Sequence, residues 1–100
     1  MKNDESIPEI PLRLEPRTSE AREIIGFKWA DGRIGVRNKL GGHPDWLQRP
    51  DIPVCNCGKS MSFYGQLDSI GDACCLADCG MIFVFVCFDC FETKAVLQSG

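Results

Sequence analysis

The strongest hydrophobic pattern lies near the end of the chain. Met81 to Phe88 is a run of eight apolar residues, rich in aromatic and β-branched types. It predicts a central strand covered on both faces. Met61 to Leu67 alternates with period two, which predicts a strand with Met61, Phe63 and Leu67 inward. Lys94 to Gln98 predicts a last strand, paired after a turn over 89–93. Earlier, Ile24 to Ala30 and Arg33 to Arg37 flank Asp31-Gly32. Asp-Gly between alternating segments predicts a hairpin with a two-residue type I′ turn. That register sets Trp29 against Ile34 and Phe27 against Val36. One face of the hairpin is then apolar, and the other carries Lys28, Arg33 and Arg37.

The polar segments fill in the rest. Pro8, Pro11 and Pro16 predict an extended N-terminal arm over 1–17, because proline fixes φ and removes a donor. Residues 18–23 predict one helical turn. Gly41-Gly42 followed by Pro44 predicts a turn with Trp46 packed under it. Residues 48–54, with Pro50 and Pro53, predict an extended loop, and 68–80 a polar connection bearing cysteines. The fold class is α+β, mostly β: one domain over 18–100 built on a small antiparallel sheet.

Composition narrows the function. With 100 residues, 44% hydrophobic and 25% charged, the chain suits one globular domain. The eight-residue apolar run is far short of the roughly 20 a membrane helix needs. The first residues lack the apolar centre of a signal peptide, so a cytoplasmic, non-membrane protein is expected. Residues 1–50 carry nine basic against eight acidic side chains, whereas 51–100 carry two against six. The second half is therefore acidic. That disfavours nucleic-acid binding, which needs clustered Lys and Arg.

All seven cysteines fall between positions 55 and 90, in that acidic half. An odd count fits a disulfide framework poorly. In a reducing compartment, clustered cysteines more often bind metal or do redox chemistry. Cys55-Asn56-Cys57-Gly58 and Cys87-Phe88-Asp89-Cys90 are two close pairs separated by 29 residues, each beside a strand. This is a zinc-ribbon-like layout, in which Cys55, Cys57, Cys87 and Cys90 hold one structural Zn²⁺. Gly58 frees backbone amides to turn around a sulfur. The alternative is that these cysteines are small buried hydrophobes. Cys75 and Cys79 are possible alternative ligands, although ordinary loop thiols are the plainer reading of Cys74, Cys75 and Cys79. A redox reading takes Cys87 and Cys90 as a dithiol, but they end a strand beside Asp89 and Glu92, whose charge opposes a reactive thiolate. His43 is the sole histidine and reads as an exposed turn residue. No Ser–His–Asp arrangement and no phosphate-binding glycine loop is present.

Taken together, the string Lys39-Leu40-Gly41-Gly42-His43-Pro44-Asp45-Trp46, then Cys57-Gly58-Lys59-Ser60-Met61, Gln66-Leu67-Asp68, and Phe83-Val84-Phe85 with Cys87 and Cys90 resembles the YwqG-like family. That family is related to the programmed-cell-death-2-like and ribosome-maturation proteins. Its first cysteine pair is Cys-x-x-Cys-Gly, whereas position 54 here is Val and the pair is Cys55-Asn56-Cys57. The resemblance, over about residues 39–90, implies a mostly β bacterial protein, zinc-bearing and not an enzyme. The expected function is a protein- or peptide-binding module, chaperone-like or immunity-like. Lys28, Arg33, Arg37 and Trp46 form the expected partner surface.

Overall fold

The computed structural model describes residues 7–28, 32–77 and 79–99. Five strands form one antiparallel sheet in chain order. They are β1 (Ile10–Pro11), β2 (Lys39–Leu40), β3 (Ser62–Asp68), β4 (Met81–Val86) and β5 (Thr93–Gln98). A short helix, α1 (Ser19–Ile24), follows β1, and a single 3₁₀ turn (Asp72–Cys74) separates β3 from β4. The helical turn expected at 18–23 is thus present. Thr18 starts it, its side-chain oxygen accepting the N–H of Ala21 at 3.1 Å, which satisfies one of the orphan donors of the first turn.

β4 sits between β3 and β5, and its side chains alternate between fully and partly buried. Met81, Phe83 and Phe85 are completely buried and form the centre of the core with Cys55, Met61 and Cys87. Each such side chain contributes about 1.5–3 kcal/mol through burial. Trp46 closes over them, its ring centroid 4.8 Å from that of Phe83 and 5.9 Å from that of Phe85. This is the packed turn residue the sequence predicts.

Two buried glutamines hold the Trp46 loop in place. The Gln66 side chain accepts the N–H of Asp45 and donates to the carbonyl of Arg37. The Gln98 side chain accepts the N–H groups of both Leu47 and Gln48 and donates to the carbonyl of Arg49. A loop covering a core must place its backbone polar groups somewhere. Here sheet side chains take them.

Two expectations are corrected. Leu67 does not point inward: it is 50% exposed, and Gln66 and Asp68 are buried instead. The register of β3 on β4 shifts between Phe63 and Gly65. This bulge inserts an extra residue, so the inward set passes from odd to even positions. Met61 is buried and Phe63 packs against the core, as expected.

Among the described residues, the strand pairing expected for a hairpin over 24–37 is also not formed. Ile24 ends α1, Gly26 bridges Gly71 in parallel, residues 32–35 form a turn, and Val36 is exposed. The expected turn residue Asp31 and the expected strand residue Trp29 lie outside the described residues. The physical reason is a stronger competitor for the backbone. The N–H groups of Gly35 and Arg37 donate to the buried carboxylate of Asp68 at 2.7 and 3.0 Å. The Arg37 guanidinium grips the same carboxylate through Nε and Nη2 at 2.8 and 2.7 Å. Amides committed to a charged acceptor cannot serve a neutral ladder of weaker bonds.

The N-terminal arm joins the sheet edge, Ile10 opposite Leu40 and Pro11 opposite Lys39. Gly41 and Gly42 adopt positive φ, and a Cβ at Gly41 would come within 2.2 Å of the Pro8 carbonyl. Only glycine accepts both the left-handed conformation and the close approach. Lys39 pins the arm through an ion pair with Glu9 at 2.8 Å.

Candidate metal centre

Two turns meet at one end of the sheet. The first lies between Pro53 and Met61, where the N–H of Met61 donates to the Pro53 carbonyl and Val54 bridges Ser60. Within it the N–H of Gly58 donates to the Cys55 carbonyl at 2.8 Å, and the N–H of Cys55 to the Lys59 carbonyl at 2.8 Å. Gly58 has φ +92°, so glycine after Cys57 lets the chain fold back around the sulfurs. The second turn joins β4 to β5. There the N–H of Phe91 donates to the Cys87 carbonyl at 2.7 Å, and the N–H of Cys87 to the Glu92 carbonyl at 2.9 Å. Phe91 also has positive φ, +60°, although it is not glycine.

The two turns are tied together. Lys59 of the first forms a hydrogen-bonded ion pair with Asp89 of the second. Lys94 of β5 donates to the Val54 carbonyl at 3.1 Å. Between these ties, the Sγ atoms of Cys55, Cys57, Cys87 and Cys90 all lie within 4.8 Å of one another. Cys55 and Cys90 sulfurs are 3.0 Å apart, and those of Cys57 and Cys87 3.7 Å. Four thiolates at the usual zinc–sulfur length of about 2.3 Å in a tetrahedron have edges of about 3.8 Å. The quartet is therefore already near the size of a closed tetrahedral site and could hold a metal ion.

The thiols are electrostatically unlike. Cys87 is brought down to about 7, first by the backbone N–H of Cys90 and then by that of Asp89, with burial opposing. At Cys55 the N–H of Cys57 favours the thiolate. The Cys90 thiol, burial and the carboxylate of Glu92 together outweigh it and push Cys55 up. Glu92 accepts from the Cys55 thiol at 3.2 Å and from the Asn56 N–H at 3.4 Å. A cation among the four sulfurs reverses the balance at Cys55, because thiolate is the ligating form.

All four cysteines expected as ligands are brought together. Cys75 and Cys79 are not in this cluster; their sulfurs lie 3.8 Å from each other. His43 is exposed on its turn. The expected partner-surface residues have separate environments. The exposed Lys28 donates its backbone N–H to Asp72, and Arg33 is exposed on the 32–35 turn. Arg37 is engaged with Asp68, and Trp46 packs into the core. Sequence reasoning did not find Glu92 beside Cys55 or the Lys59–Asp89 tie. The available signal was their position, one or two residues from a ligand cysteine.

Comparison with known proteins gives one relative. The chain is similar to the uncharacterized protein YpfL of Salmonella typhimurium, 36% identical over 65 residues. The match covers 62% of this chain but 15% of that protein, so the chain spans a small part of its relative's length. No protein family and no solved structure matches. Among the described residues no helix is long and apolar enough to cross a membrane.

Proposed function

We propose that this chain is a YwqG-like protein- or peptide-binding module whose sheet is stapled at one end by a structural Zn²⁺ on Cys55, Cys57, Cys87 and Cys90. The observation that carries the zinc reading is the sulfur quartet, gathered within 4.8 Å by two independent turns. Four thiolates leave no open coordination position, which suits a structural rather than a catalytic ion.

The binding reading is supported by the sheet face opposite Trp46. Leu67, Ile82 and Leu97 stand in one register row across β3, β4 and β5. Leu67 and Leu97 are 50% and 52% exposed. β5 ends the sheet order, and among the described residues no further strand pairs with its outer edge, where an extended peptide would add as a sixth strand. Lys28 and Arg33 are exposed, and positive charge at the surface favours an acidic partner by steering.

The decisive experiment is elemental analysis with thiol titration on protein purified without chelator. One zinc per chain with four of the seven thiols protected until chelator is added is the expected result. Intact fold with no metal and seven freely reactive thiols would sink the zinc reading. A second reading, a thiol redox protein using Cys87 and Cys90, draws on the lowered Cys87 thiol. It predicts Cys87 reactivity that chelator leaves unchanged. For the partner surface, Leu97→Asp should abolish capture of edge-pairing peptides from a random display library while leaving zinc content intact. Equal capture by the variant would place binding elsewhere.

A further inference from the structure

The connection between β3 and β4 holds a second sulfur pair, distant in sequence from the quartet and separate from it. Cys75 and Cys79 place their Sγ atoms 3.8 Å apart. A disulfide needs about 2.05 Å, so closure requires less than 2 Å of approach. The described residues on either side of the pair are held by hydrogen bonds. The Ser69 hydroxyl accepts the N–H of Leu76 and donates to the Gly80 carbonyl. The N–H of Gly80 donates to the Leu76 carbonyl at 2.6 Å. The Arg37 guanidinium reaches the Cys79 carbonyl at 3.2 Å. Ala77 and Cys79 both have positive φ, +42° and +64°. Non-glycine residues persist there only where the surroundings over-determine them, and such positions concentrate at functional sites.

The two thiols are not equivalent. Cys75 is half-buried, and its sulfur accepts the N–H of Cys79 at 2.9 Å. The more accessible of the two sulfurs is the one an external disulfide can reach. Cys79 is buried behind it. Cys74 is exposed, but it adjoins Cys75 in sequence, and neighbouring cysteines bridge only with strain.

We propose that Cys75 and Cys79 form a reversible disulfide by exchange with a small-molecule disulfide, Cys75 attacking and Cys79 resolving. In the first step the Cys75 thiolate displaces one half of the reagent as a thiolate, leaving a mixed disulfide. In the second, Cys79 loses its proton, attacks the Cys75 sulfur and displaces the other half. The protein gives up two electrons and two protons, and the reagent disulfide leaves as two thiols. The bridge closes the loop that also carries the Arg37 contact, at the end of the sheet away from the quartet.

Protein as purified is exposed to oxidised glutathione, alkylated, digested and mapped by mass spectrometry. The expected product lacks two hydrogen atoms and carries a link between Cys75 and Cys79, with the metal content unchanged. In Cys79→Ser a glutathione adduct persists on Cys75. In Cys75→Ser the buried Cys79 stays unmodified. A persistent adduct on Cys75 in the parent protein, a fully reduced Cys75, or a link made by Cys74 would each overturn the proposal. Cross-linking seen only with metal release would do the same. The peptide map reads the loop directly, so failure of the zinc reading leaves this test intact.

Discussion

β4 has two differently built ends. At its start, Asp68, Met81 and Gln98 share one register row. Asp68 is matched by Arg37, by backbone N–H groups and by Asn38, whose side chain accepts the Asp68 N–H. Among the described residues no buried side-chain nitrogen or oxygen lacks a partner. At the other end, beyond Val86, the chain turns at Cys87 into a set of thiols whose main partners are one another. The polar end is complete as the chain stands. The thiol end gathers four sulfurs that could hold a metal ion. On the proposed zinc reading, one domain would use both ways of stabilising polar atoms in a small core: mutual pairing and an imported cation.

The largest effect expected from breaking this contrast is metal removal. Structural zinc contributes about 10–16 kcal/mol of apparent binding energy in small peptides at neutral pH, comparable with or above the whole stability of a typical domain. Excess chelator should abolish the cooperative melt. Under mild chelation, the amides of Cys87 and Phe91 should lose hydrogen-exchange protection before those of Gly35 and Arg37. Simultaneous loss would show that the two ends are one cooperative unit.

Asp68→Ala strikes the other end. It removes the carboxylate acceptor of the Arg37 guanidinium and of the backbone N–H groups of Gly35, Arg37 and Ser69, a change that costs about 3–5 kcal/mol when one partner of a buried pair is removed. The melting temperature should fall while the zinc content of the folded fraction stays at the parent level. Loss of zinc along with stability would mean that the ends are coupled.

Gln98→Ala is milder. It removes the acceptor for Leu47 and Gln48 N–H groups, which costs about 1–3 kcal/mol. It should also shift Trp46 fluorescence, since this loop presses the ring onto Phe83. Unchanged emission would show that Gln66 alone positions the loop.

The smallest effect is acid sensitivity. Burial would raise Asp68, but the Arg37 side chain and the N–H groups of Arg37 and Gly35 outweigh it and hold the carboxyl below its ordinary range. A group whose folded value is depressed stabilises fully above its unfolded value and loses that contribution as pH falls through the folded value. The stability difference between the parent and Asp68→Asn should therefore be constant above the ordinary carboxylate range and shrink below it. Taking the difference cancels the acid loss of thiolate ligands, which both proteins share. A difference independent of pH would mean that the fold does not shift the Asp68 carboxyl from its unfolded value.

The sequence by itself determined the elements whose signal is local. The apolar run that starts at Met81 makes β4, period two makes β3, Gly-Gly makes the turn before Trp46, and two spaced cysteine pairs beside strands mark the quartet. Only the tertiary structure decided what depends on partners far along the chain. The bulge after Phe63 exchanged the inward set of β3, turning Leu67 out and Asp68 in. Once Asp68 is buried, its charge must be matched, and the backbone of Gly35 and Arg37 meets that demand in place of the expected hairpin. Periodicity reads the face of a strand only while the register is unbroken, and an expected strand pairing yields when a buried carboxylate takes its N–H groups.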